Sequence, residues 1–203
     1  MLKLLLPLLI SPEQSGYVEG RQILDNIILK HKIIHSLKHS KQLSMILKLD
    51  LSKSSDKLSW AYIRKILIAF GFSPMWVRWI LSLIYSTFFS ILVNGIPSRP
   101  VSPSRGIRQG DPLSPFLFVL MAEGLGCHIK QALLSQQIKG LSVHNSPTIT
   151  HQQFVNDNML FGYPLVQEAS NFKSLLNEFS EASGTSINKA KSQIFFFHTP
   201  PVI

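Results

Sequence analysis

From Leu43 to Leu51 the chain alternates, with Leu43, Met45, Leu47 and Leu49 separated by Ser44, Ile46, Lys48 and Asp50. A period of two predicts a strand, and it brings Asp50 to the strand's exit. Gln153 to Phe161 consists of two short apolar runs around a polar tip. That pattern predicts a hairpin with Asn156 and Asp157 at its end, led in by Ile149 and Thr150. A last strand is predicted over Ser192 to Phe197.

Elsewhere the apolar period lengthens to that of a helix. Arg21 to Ile34 carries Ile23, Ile27, Ile28 and Ile34 with charges between them, which predicts a helix with one buried side and a basic face. Leu58 to Phe70 places Ile63, Ile66, Leu67 and Phe70 on one side and ends at Gly71. A helix entered at Ser73-Pro74 is expected to bury Trp76, Val77, Trp79, Ile80, Leu83 and Ile84. Phe88 to Val93 runs into Asn94-Gly95, the strongest short hairpin signal in the chain. Ser114 and Pro115 read as N-cap and first-turn residues of a long helix from Phe116 to about Gln137. Phe172, Leu175, Leu176 and Phe179 mark another helix, stopped by Gly184. Met1 to Ile10, apolar apart from Lys3, reads as a buried helix too short to cross a bilayer.

Taken from Leu43, with the segment Leu58 to Pro103 set aside, the order is strand, helix, hairpin, helix, strand. This is the βαββαβ arrangement of a split βαβ sheet, an α+β fold. In it the exit of the first strand lies beside the hairpin tip, so Asp50 and Asp157 approach each other. Two carboxylates so placed suit magnesium-assisted phosphoryl transfer, because Mg²⁺ favours oxygen ligands.

Composition sharpens this picture. With 203 residues and 45% hydrophobic content, the chain can bury a substantial core as one domain or part of a larger one. Lys and Arg outnumber Asp and Glu by 20 to 11, a formal charge of +9, and such a chain collects polyanions, nucleic acid foremost. A single cysteine, Cys127, excludes an internal disulfide and a cysteine-based zinc site. His31, His35 and His39 have the spacing of a metal pair but sit among lysines, and are read as a solvated basic face. Trp60, Trp76 and Trp79, at helical spacing among Ile and Leu, are read as core.

Five blocks carry a family resemblance in chain order. They are Ile10 to Arg21 (ISPEQSGYVEGR) with Asp25-Asn26; Lys48 to Lys53 (KLDLSK) through Asp56 and Trp60; Ser104 to Pro115 (SRGIRQGDPLSP); the hairpin at Phe154 to Asp157; and Ser183 to Asn188 (SGTSIN) with Lys191-Ser192. Together they resemble the reverse transcriptases of non-LTR, LINE-type retrotransposons, especially those abundant in plant genomes. The resemblance implies a right-hand polymerase, with fingers and connecting parts at about 1–42 and 58–110 and a palm at about 43–57 and 111–203. It further implies Asp50 and Asp157 as ligands of Mg²⁺, with Mn²⁺ as a substitute, and an RNA template, a DNA primer and dNTPs as partners. Gln109 and Gly110 would border the nucleotide, Arg105 and Arg108 would lie near template or phosphate, and Lys191 near the pyrophosphate. An intracellular setting, nucleus or cytoplasm, follows from the same resemblance, and no membrane partner is expected.

Three departures from the family pattern stand out. Asn156 occupies the place of the first aspartate in the family's Phe-Ala-Asp-Asp block, and a neutral amide is a poorer ligand for a hard dication than a carboxylate. Ser55 stands where the family usually has an aromatic residue that excludes ribonucleotides. No segment matches a thumb, which leads to an expectation of a truncated chain with exposed apolar surface and a mean hydropathy of +0.19. The expected function is that of a reverse transcriptase with impaired catalysis. The alternatives are a non-catalytic nucleic-acid-binding remnant and a relic without function.

Overall fold

The computed structural model describes residues 2–142 and 147–198. In chain order its elements are α1 (Leu2–Leu9), α2 (Ile23–His39), β1 (Ser44–Ser52), α3 (Ser54–Lys57), α4 (Trp60–Ala69), α5 (Pro74–Tyr85), β2 (Leu92–Val93) and β3 (Ile96–Pro97). They continue with α6 (Ser114–Leu134), β4 (His151–Phe154), β5 (Asp157–Gly162), α7 (Val166–Ser183), β6 (Ser186–Ile187) and β7 (Gln193–Phe197).

β1 is the centre of the sheet. On one side it pairs with β5, and β5 with β4; on the other it pairs with β7 and, near its exit, with β6. Every pairing is antiparallel. With α6 and α7 as the two connecting helices, the βαββαβ order expected from the sequence is the order observed.

The alternation in β1 divides two packed layers. Met45, Leu47, Leu49 and Leu51 join the main core with Leu160 of β5, Ile63 and Leu67 of α4, Leu120 and Leu125 of α6, and Phe172 and Leu176 of α7. On the opposite face Ile46 and Phe161 meet Ile33 and Leu37 of α2 and Leu141. This second cover explains why Ile46, on the polar side of the alternation, is buried. It also ends before Lys48 and Asp50, leaving that end of the face open. Helix α6 is long and apolar enough to cross a membrane by length and composition, yet Leu117 to Ala122 are all buried within this core.

Several local expectations change. The inner side of α2 is Asn26, Ile33 and Leu37, whereas Ile23, Ile27 and Ile28 are exposed. The reason is that the start of α2 lies on the polar segment 11–16 and β4, where Asn26 can hydrogen-bond. In α5, Val77, Ile80, Leu81 and Ile84 are buried, but Trp79 and Leu83 face outward because α5 touches the core along one narrow stripe. α1 buries Leu2 and Leu6 and exposes Leu4, Leu5 and Leu8. Ser114 is the first residue of α6 and not its cap; the Asp111 side chain ends that loop by accepting from Leu113 N at 2.7 Å. Exposed apolar surface is present on β7 at Ile194, Phe195 and Phe196 and around the β2–β3 hairpin. In that hairpin Asn94 and Gly95 have φ of 50° and 82°, both positive as a type I′ turn requires.

Candidate active site

β1 and β5 bring the two acids together. Asp50 and Asp157 are direct partners in the register, so their side chains leave the same face of the sheet, with Cβ atoms roughly 4.5–5.5 Å apart. Asp50 is anchored from the turn before β7: its N–H donates to Ser192 Oγ at 3.2 Å, and its carbonyl accepts from Asn188 N at 2.8 Å. The same turn displays Lys191 at the surface.

The hairpin tip differs by one residue from the expectation. Phe154 pairs with Asp157, so the two-residue turn is Val155-Asn156 and Asp157 opens β5. Val155 has φ of 55°, a left-handed conformation that a β-branched residue adopts at a cost. Asn156 therefore projects from the turn itself, next to a carboxylate held in the ladder.

Two lysines contribute to the field. Lys48 lies two rungs from the acids, opposite Met159 on the same face. Lys30 of α2 is half-buried, and burial pushes its amine below the usual lysine range, with Asp157 opposing that shift and Lys48 adding to it. Among the described residues no group of three His, Cys, Asp or Glu side chains converges. The donor set at the strand exits is two carboxylates and one amide oxygen. Its chemistry fits a hard dication, but with one carboxylate fewer than the family pattern supplies. The stacked His35 and His39, with ring centroids 4.2 Å apart, have no acid joined to them in such a group.

The loop after Ser104 docks on α3. Gly106 N donates to the Leu58 carbonyl at 2.7 Å, Ile107 N to the Ser55 carbonyl at 2.9 Å, and the Trp60 indole N–H to the Gly106 carbonyl at 2.7 Å. Gly106 has φ of 85°, and a Cβ there would lie 2.5 Å from the Asp56 carbonyl oxygen, so the approach requires glycine. Gln109 Nε2 donates to Asp56 Oδ1 at 2.9 Å.

This docking gathers Ser55, Arg108, Gln109 and Gly110 around one cavity of about 200 Å³, with Val155 of the hairpin tip as a neighbour. Tyr17 and Phe118 complete its apolar wall. Arg105 does not line that cavity; it lines a neighbouring one of about 240 Å³ with Asp56, Thr87 and Phe89, which Arg108 also borders. Tyr17 is a site residue that the sequence pattern did not single out. Its position depends on a left-handed backbone, φ 56°, for which tyrosine carries no signal. Of the tryptophans, Trp60 is half-buried against Tyr85, Trp76 stacks on Phe72, and Trp79 is exposed and therefore not core.

Residues 1–201 match the family model described as reverse transcriptase (RNA-dependent DNA polymerase). The chain is 28% identical over 191 residues to the transposon TX1 uncharacterized 149 kDa protein of Xenopus laevis, covering 94% of this chain and 14% of that protein. It is 35% identical over 115 residues to the Pol polyprotein of the Drosophila melanogaster retrotransposable element R2DM, covering 56% of this chain and 11% of that protein. Among solved structures, the apo telomerase from Candida tropicalis truncated from its C-terminal domain superposes with a TM-score of 0.69 at 14% identity, over 99% of this chain and 40% of that one.

Proposed function

We propose that this chain, which belongs to the reverse transcriptase family and is of the non-LTR retrotransposon type, is an RNA-directed DNA polymerase domain whose catalytic step is impaired at Asn156. The proposal assigns the palm to about 43–57 and 111–203 and the fingers and connecting parts to about 1–42 and 58–110. The observation that carries it is the register of Asp50 opposite Asp157, with an amide in the turn that leads into Asp157.

In this reading Asp50 and Asp157 hold Mg²⁺, which when bound supplies charge neutralisation for the oxygens of a phosphoryl transfer. Asn156 offers a neutral oxygen where a third carboxylate would stand. Losing that charge weakens the hold on a second ion and lowers the rate by about 100-fold or more, by analogy with the loss of one strong electrostatic contact. Ser55, Arg108, Gln109 and Gly110 border the incoming nucleotide, with Gln109 oriented by Asp56. Arg105 contacts template phosphate from the neighbouring cavity, and Lys191 lies on the exposed turn beside Asp50. An RNA template, a DNA primer and dNTPs are the proposed partners, consistent with the telomerase neighbour from Candida tropicalis solved with a fragment of telomeric RNA.

Primer extension on an RNA template, with Mg²⁺ or Mn²⁺, tests the proposal. Extension by the chain at the rate of its Asn156→Asp variant overturns the claim of impairment. A second reading is favoured by the charge of +9: retained nucleic-acid binding without synthesis. Salt-sensitive binding by both chains, with extension by neither, selects that reading.

A further inference from the structure

We infer that Gln14 is a positioning residue of the site, fixing where the hairpin tip Val155-Asn156, which leads into Asp157, stands. What the tip does rests on the proposed function; how it is held does not. Gln14 is fully buried in the segment before α2. Its Oε1 accepts two backbone N–H groups, from Gly16 at 2.8 Å and from Val155 at 3.0 Å. Val155 is the strained first residue of the turn, and strained backbone persists only where its surroundings over-determine it.

The same segment closes the outer edge of β4. Gln153 N donates to the Glu13 carbonyl at 2.8 Å, and the Gln153 carbonyl accepts from Ser15 N at 3.3 Å and from Asn26 Nδ2 at 2.9 Å. Asn26 Nδ2 also donates to Ser15 Oγ at 2.7 Å, tying α2 to the clasp. A Cβ on Gly16 would lie 2.5 Å from Val155 Cγ2, so only glycine lets the segment lie this close. Asp50 is fixed from the other side of the sheet by Asn188 and Ser192. Asp157 is held by its pairing with Asp50, so what the tip sets is where Asn156 stands beside the two acids, and the tip rests on Gln14 Oε1. A site of this kind tolerates only about 0.5 Å of misplacement.

The test compares Gln14→Met, which keeps the size and removes the acceptor, with Gln14→Glu, which keeps an acceptor oxygen, each in the parent and in the Asn156→Asp chain. Amide hydrogen exchange at Val155 and Gly16 and the Mn²⁺ dissociation constant are the readouts. For Gln14→Met we expect exchange at Val155 and Gly16 to accelerate about tenfold, the scale of one lost hydrogen bond, with Leu47 in β1 unchanged. Mn²⁺ binding should weaken by a similar factor, and Gln14→Glu should restore both. Unchanged exchange at Val155 overturns the inference, as does acceleration at Leu47 equal to that at Val155. If Gln14→Met does not fold, Gly16→Ala displaces the tip by its Cβ and must weaken Mn²⁺ binding; unaltered binding overturns the inference. If no chain binds Mn²⁺, the functional reading fails, and exchange at Val155 still decides the role of Gln14.

Discussion

Asn156 and Ser55, read from the sequence as departures from the family pattern, meet at one place: Ser55 lines the cavity that Val155, the neighbour of Asn156 in the turn, also lines. Replacing Ser55 by Phe should restore a preference for deoxynucleotides in an Asn156→Asp chain, by about fivefold or more, the scale of a steric clash of about 1–3 kcal/mol. Incorporation of dNTPs and rNTPs on one template measures it, and an unchanged ratio would mean that Tyr17 or Phe118 already fills the space. His151 supplies a pH test. It opens β4 with Thr150 Oγ1 on its Nδ1, and burial pushes its imidazole down to about 4, with Lys130 adding to the shift and Glu13 opposing it. The unfolded chain therefore takes up a proton first as pH falls below 6.5, and stability drops until about pH 4. Between those values the parent should lose about 3 kcal/mol relative to His151→Gln, measured by urea unfolding at both pH values. Asp50 and Asp157 were legible in the sequence because period-two alternation fixes which face a strand residue takes. The tip was misplaced by one residue because Asn156-Asp157 carries turn chemistry and Val155 does not, while the structure puts the positive φ on Val155.

The elements divide by how much of their environment is local. α7, α4 and the Asn94-Gly95 hairpin follow their own signals, with Ser59 and Ser73 capping α4 and α5 by accepting from Tyr62 N and Trp76 N. α2 does not, because its inner face is chosen by a polar neighbour, the clasp on β4, and Asn26 displaces isoleucines from it. α3 and β6, four and two residues long, are too short for periodicity to reveal. The loop from Arg105 to Gly110 is held by α3 and by one conformational requirement. Gly106→Ala should therefore destabilise the chain by about 1–3 kcal/mol and release Gln109 from Asp56. Thermal unfolding checks the first effect, and a stability equal to the parent's would show that the loop can dock otherwise.

At the scale of the whole molecule, the strand order was readable because each connecting helix is long and strongly patterned, so βαββαβ survives errors at any one boundary. The two-layered cover of the sheet was not readable. It arises from α2, which directly precedes β1 and folds back over Ile46 and Phe161 while leaving the acids open, through a buried face that its isoleucine pattern does not mark. The basic balance of the chain belongs to this scale too. If four phosphates are contacted, binding to a primer-template duplex should weaken about 100-fold between 50 and 200 mM salt. Fluorescence anisotropy across that range measures the slope, and salt-independent binding would contradict an electrostatic groove.

On the proposed reading, a polymerase fold whose loop cavity receives the nucleotide is limited by one amide, Asn156. The measurement that tests it most directly is the single-turnover rate of dNMP addition, with saturating Mg²⁺, for the parent and for Asn156→Asp. A rise of about 100-fold or more is expected in the variant, with template binding unchanged. Equal rates in the two chains would contradict that reading.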